Sequence, residues 1–274
     1  MFDACDTMIF VNLTFYGRIK MRKIILSVFA FFAAVHGICA ASFVDKVVRA
    51  KTEFYFYDSD EKILEKIAEL ESSLDSIADM QEKLICRNLL LVEKLNFSPV
   101  QDDSQLKKLF FVEMSALARE NQKYMEENKN ADKWLLVSYS DLLVRLMEYQ
   151  SSKEIYKMSM ETKKLYLQAL KIDSKFAYAY NSYSLWLYFA PSIAGGGLDV
   201  AYKNISKAVK YAAAASDKYG LYVYYINRSQ ILYKMKKFND YDRDLNLAHE
   251  LFPEETFTES LREMNRNDKI LFNS

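Results

Sequence analysis

The stretch Leu198-Asp-Val-Ala201-Tyr-Lys-Asn-Ile205-Ser-Lys-Ala208-Val-Lys-Tyr-Ala212 decides the reading of the chain, because its pattern returns forty residues later. The second copy is Phe238-Asn-Asp-Tyr241-Asp-Arg-Asp-Leu245-Asn-Leu-Ala248-His-Glu-Leu-Phe252. In both, the apolar positions are spaced 3, 4, 3 and 4, which lines them along one face of an α-helix. A stripe that recurs at a fixed offset marks stacked helices, an architecture that works by presenting a surface.

The composition agrees. Only six Gly and three Pro punctuate 274 residues, and three of those Gly stand together at 195–197. Sheet proteins of this length draw on far more turn residues. Long runs of Leu, Lys, Glu, Met and Ala therefore predict an all-α fold, about ten helices in antiparallel pairs with no sheet. Twenty Tyr and 18 Phe supply filler between helices. The full chain carries 37 basic and 37 acidic residues. Segment 1–41 holds four of the basic residues and two of the acidic, so the remainder is 33 against 35, a net charge of −2. With no block of one sign, nucleic acid is not an expected partner.

Residues 21–41 read as an address. Met21-Arg-Lys is a short basic head, Ile24–Val35 an apolar run of 12, and Gly37, Cys39, Ala40 and Ala41 a small-residue end. That is the layout of a secretory signal peptide cleaved near Ala41, and the run is too short to span a bilayer. The expected location is outside the cytoplasm, in a periplasm. Residues 1–20 read as upstream sequence from too early a start. Membrane contact is expected only if the segment stays uncleaved or Cys39 is lipidated. Beyond the cleavage point Cys86 is the one cysteine, expected to be buried and inert.

Residues 42–98 read as an N-terminal helical hairpin region. Asp58 and Glu61 form a capping box there, and Ile63, Ile67, Leu70, Leu74 and Ile77 make a seam that breaks at Gln81. Ser98–Ser104 is a polar break. Residues 105–274 then form a series of helices: about 105–127, 133–149, 152–172, 175–190, 198–213, 217–236, 238–251 and 256–265.

From Tyr166 to Glu255 the pattern resembles the tetratricopeptide repeat. Ala169, Ala201, Ala208 and Ala248 stand at its small crossing positions. Tyr180, Tyr183, Leu187, Tyr225, Leu232, Phe238 and Leu245 stand at its large ones, and Pro253 follows the second helix. Departures are Ser174 where Pro is usual, Arg228 where Leu is usual, and Tyr241 where Ala is usual. With a signal peptide and the Pro191-Ser-Ile-Ala-Gly-Gly-Gly197 loop, the chain also resembles bacterial envelope proteins, some of which associate with TRAP-type solute transporters. The resemblance implies an α-solenoid whose first helices line a concave, partner-binding groove. Its groove positions fall here on Tyr178, Asn181, Leu185, Tyr188, Val223, Ile226, Asn227, Gln230 and Tyr233. It implies a scaffold or adaptor for another envelope protein or peptide. The alternative is a small-molecule-binding accessory of a transporter.

The residues themselves offer no reaction. The glycine triplet lacks the strand before it and the Gly-Lys-Ser/Thr of a phosphate loop, and reads as a hinge between two helices. His249 is the one histidine after the signal segment, so a hydrolytic triad has a single place to form, and a His/Cys metal cluster has none. No catalytic, cofactor-binding or metal-binding residue is expected.

Overall fold

The computed structural model describes residues 42–100, 103–267, 269 and 271. The expected upstream stretch 1–20 and signal peptide 21–41, with Cys39 and the cleavage point, lie outside the described residues. Among the described residues there are eleven α-helices and no strand. They are α1 (Phe43–Glu53), α2 (Asp60–Ser72), α3 (Met80–Phe97), α4 (Ser104–Glu127), α5 (Lys133–Met147), α6 (Ser152–Ile172), α7 (Ala177–Phe189), α8 (Leu198–Ala214), α9 (Lys218–Lys234), α10 (Phe238–Leu251) and α11 (Phe257–Arg266). Short 3-10 turns follow α1, α2 and α7. No described helix is long and apolar enough to cross a membrane.

Local chemistry sets most of these boundaries. Asp79, Asp103, Asp132 and Asp217 each turn a carboxylate back onto backbone N–H groups of the helix they precede, which satisfies donors the first turn leaves unpaired. The N-cap expected at Asp58 sits one residue later, without a capping box. Ser59 caps α2, while Asp58 pairs with Lys62 at 2.8 Å. The expected seam also breaks earlier than Gln81. The hydroxyls of Ser72 and Ser73 both donate to the Glu69 carbonyl, and the chain turns off the helix there. Gln81 instead accepts from the Asp132 N–H at 2.9 Å, fastening the start of α3 to the start of α5.

From Phe43 onward the chain is one compact unit. Its main core runs without a gap from Val44 on α1 to Ile231 on α9, and a second cluster joins α9, α10 and α11 around Tyr222, Leu245 and Leu261. The polar break at 98–104 thus separates α3 from α4 along the chain without separating their cores. Asn88, Asn121 and Ser138 form a buried hydrogen-bond network that fixes α3, α4 and α5 in register. Later helices pack as neighbours in sequence, α5 on α6, α7 on α8 and α9 on α10. Ala169, Ala201, Ala208 and Ala248 are fully buried where helices cross closely.

Two of the three departures from the repeat pattern, Arg228 and Tyr241, have structural partners. Arg228 donates to Asp244 on α10 through Nε at 2.6 Å and through a terminal nitrogen at 2.7 Å. Tyr241 is buried, and its hydroxyl donates to Asn265 on α11 at 2.9 Å. The glycine triplet is a hydrogen-bonded turn. Gly197 N–H donates to the Leu187 carbonyl at 2.8 Å, and a Cβ on Gly196 would lie 1.9 Å from the Ala190 oxygen.

Candidate functional site

The nine groove positions do not make one open face. On α7, Asn181 is buried and its side-chain oxygen accepts from Asn227 of α9 at 2.7 Å. That pair ties the two helices together, as a buried amide pair should. Ile226 is buried in the C-terminal cluster. Gln230 is fully buried and exchanges two hydrogen bonds with Asn265 of α11, and the Tyr233 hydroxyl donates to the Asn265 carbonyl at 2.6 Å. Thus α11 covers the far end of α9. Leu185, Tyr188 and Val223 are half-buried. The Tyr188 ring packs edge-on against Phe189 at 4.9 Å.

Tyr178 lies elsewhere, beneath α1. Its hydroxyl accepts from the Lys51 ammonium at 2.7 Å, and Lys51 also pairs with Glu93 of α3 at 2.9 Å. Thr52 donates to the Tyr219 carbonyl, and the Arg49 guanidinium lies 4.6 Å over the Tyr219 ring. One turn further, the rings of Tyr55 and Phe56 meet Tyr222. The first described helix therefore packs against α9 and is tied to α7 through Lys51, on the side where the repeat pattern would put its groove.

A cleft of about 370 Å³ remains beside α1. Trp134, Phe176, Tyr178, Tyr211, Tyr219 and Tyr224 give it aromatic walls, while Asp45, Arg49, Asp173, Lys175 and Asp217 supply its charges. Trp134 packs edge-on against Phe176 at 4.7 Å and tilts against Tyr178 at 4.9 Å. These rings come from α5, the α6–α7 turn and α7, so the wall depends on three elements packing correctly.

Charged groups meet under the Tyr178 ring. Asp141 of α5 accepts from Tyr166 at 2.7 Å, from Ser182 at 3.1 Å and from Tyr178 at 3.5 Å. Burial pushes the Asp141 carboxyl up to about 6, with Lys51 opposing the shift. For Lys51, burial works to lower the pKa, but Glu93, Tyr178 and Asp141 outweigh it and hold the ammonium well above the ordinary amine value. Burial also raises the Tyr178 phenol above its usual range. One cation and two carboxylates thus support the ring that floors the cleft.

Sequence reasoning singled out Tyr178 alone among the cleft residues. The charged floor did leave a trace. Glu93 follows the apolar run Leu89–Val92, and Asp141 precedes Leu142-Leu143, so each interrupts a core-facing stretch.

Other reactive groups lie apart from this cleft. Cys86 is buried, and burial pushes its thiol up to about 12. His249 meets the buried Glu255 at 3.2 Å through Nδ1. Glu255 also accepts from Tyr222 at 3.1 Å and from the Thr258 backbone and hydroxyl, so the hydroxyls there address the carboxylate and not the imidazole. Among the described residues no three His, Cys, Asp or Glu side chains gather as a metal site.

No model of a known protein family matches the chain, and no curated protein is similar enough to count as a relative. The resemblance to tetratricopeptide repeats rests on the residues quoted for it.

Proposed function

We propose that the chain is an exported binding protein of tetratricopeptide-like design, with α5–α10 stacked as solenoid pairs and the aromatic cleft beside α1 as its ligand site. One observation carries this reading. Because α1 lies against α7 and α9 through Lys51, Thr52 and Arg49, the concave side offers a cleft of about 370 Å³ instead of a long groove. That volume suits a small molecule, within the roughly 300–1,000 Å³ of such sites. It is too small for a partner helix. Of the two readings the resemblance implies, the small-molecule-binding accessory of a solute transporter is the better supported. Aromatic walls with charges of both signs favour a flat or partly apolar compound bearing a polar end.

Trp134 lines the cleft and the second tryptophan, Trp186, does not. In a Trp186→Phe background, emission therefore reports the cleft alone. Metabolite pools are expected to shift both this emission and the melting temperature, and Tyr219→Ala should abolish both shifts. No response from any pool would overturn the cleft as a ligand site.

The adaptor reading keeps one foothold, since Leu185 and Tyr188 are half-buried beside an exposed Phe189 at the end of α7. A photo-crosslinker at Tyr188 that captures one discrete envelope protein would support it. Absence of any adduct would leave the adaptor without a surface.

A further inference from the structure

The outward face of α6 is organised in a way that neither the cleft nor the helix pairs explain. The 21-residue helix buries Thr162, Leu165, Tyr166 and Ala169 toward the core. At about 100° per residue, Tyr156, Met160 and Leu167 share an arc of about 40° on another side. They are 71%, 46% and 47% exposed. Lys153, Lys157, Lys164 and Lys171 fall in the next arc of about 40°. All four are exposed, and none forms an ion pair among the described residues. Glu154 and Glu161 lie beyond them. On the other flank Lys163 donates to the Ala194 carbonyl at 2.9 Å, which draws the turn Ser192–Ala194 alongside. Ile193 on that turn is 95% exposed.

A single exposed apolar side chain needs no explanation. A solvent-facing stripe of three, extended by Ile193 and bordered by four lysines, is different. The stripe is disfavoured in water, and the lysines sit on a body whose net charge after residue 41 is −2. A nucleic acid would use the lysines and leave Met160, Leu167 and Ile193 without a role. A lipid surface uses both, because apolar tips enter the headgroup layer while long lysine stems reach the phosphates.

We propose that the outward face of α6, with Ile193, docks flat on an anionic lipid surface, Tyr156, Met160 and Leu167 entering the headgroup layer and the four lysines meeting lipid phosphates. The contact is peripheral and reversible. It depends on screening as well as on area. It stands independently of the cleft.

The compact unit 43–274 is spun with phosphatidylcholine vesicles, with and without phosphatidylglycerol. It is expected to pellet only with the anionic vesicles and to be released by high salt. Reversing Lys153, Lys157 and Lys164 to Glu should weaken partitioning by about a hundredfold or more, at about fivefold per lysine. Tyr156→Ser with Ile193→Ser should weaken it several-fold with melting unchanged, since both side chains are exposed. No pelleting with anionic vesicles overturns the proposal, and so does equal pelleting of the charge-reversed variant. A crosslinker at Met160 that captures a discrete protein while vesicles recover nothing would also overturn it and assign the face to an acidic protein.

Discussion

The ammonium of Lys51 lies 2.7 Å from the phenol of Tyr178, across 127 residues of chain. Through this bond the first helix of the structure is fastened to the face on which the repeat pattern places a groove. With Glu93 accepting from the same ammonium and Asp141 beneath the ring, the contact is a largely buried polar junction of α1, α3, α5 and α7.

Removing the cation should therefore cost more than a surface ion pair would. Lys51→Met leaves Glu93 and Asp141 without their countercharge and is expected to lower stability by about 3 kcal/mol. Adding Glu93→Gln should recover part of that loss. Denaturant midpoints of the two variants measure it, and a Lys51→Met protein as stable as the parent would mean the junction is hydrated.

Asp141 sets a dependence on pH. Burial raises its folded pKa to about 6, above the roughly 3.9 of an unfolded aspartate. The folded state thus holds this proton more tightly than the unfolded state. Its contribution to stability is full below about pH 4 and is lost as pH rises toward about 6, a change of about 2–3 kcal/mol. The stability difference between the parent and Asp141→Asn should follow that curve. A difference that stays flat between pH 4 and 7 would remove Asp141 from the account.

Arg228 and Asp244 test the departure from the repeat pattern. Asp244 is fully buried and Arg228 nearly so. Arg228→Leu supplies the residue that the repeat pattern would place there, yet it strands a buried carboxylate and should destabilise by about 3–5 kcal/mol. The double change Arg228→Leu with Asp244→Leu should return close to the parent. If the single change is already neutral, the ion pair has no structural weight.

Gly196 and Gly220 separate two kinds of crowding. At Gly196 a Cβ would meet the backbone oxygen of Ala190, which cannot swing aside, so Gly196→Ala should cost about 3 kcal/mol. At Gly220 the obstacle is the Asp217 side chain. It can rotate away at the loss of its cap on α9, so Gly220→Ala should cost about 1 kcal/mol. Thermal melts of the two variants rank them, and the reverse order would contradict the turn geometry at 190–197.

Much of the fold was legible in the residues because helix formation is local. The stripe at Phe238, Tyr241, Leu245 and Ala248 defined α10 within its sequence limits, and the crossing alanines are buried as their size required. Where the reading slipped, a short-range competitor was responsible. Serines at 72 and 73 ended α2 before the apolar seam did. The groove positions that the resemblance implied all lie on α7 and α9, but nothing in them told what covers those helices.

The sequence by itself determined that the described residues are helical, with the order and approximate limits of their helices. All of these follow from contacts three or four residues apart. Only the tertiary structure decided that Gln230 faces Asn265, that Asn181 spends its amide on Asn227, and that α1 leaves a cleft beside Tyr178. Those outcomes depend on partners 35, 46 and 127 residues away. Whether such partners meet is settled by how whole helices pack, a global balance of burial and polar pairing that no local period encodes.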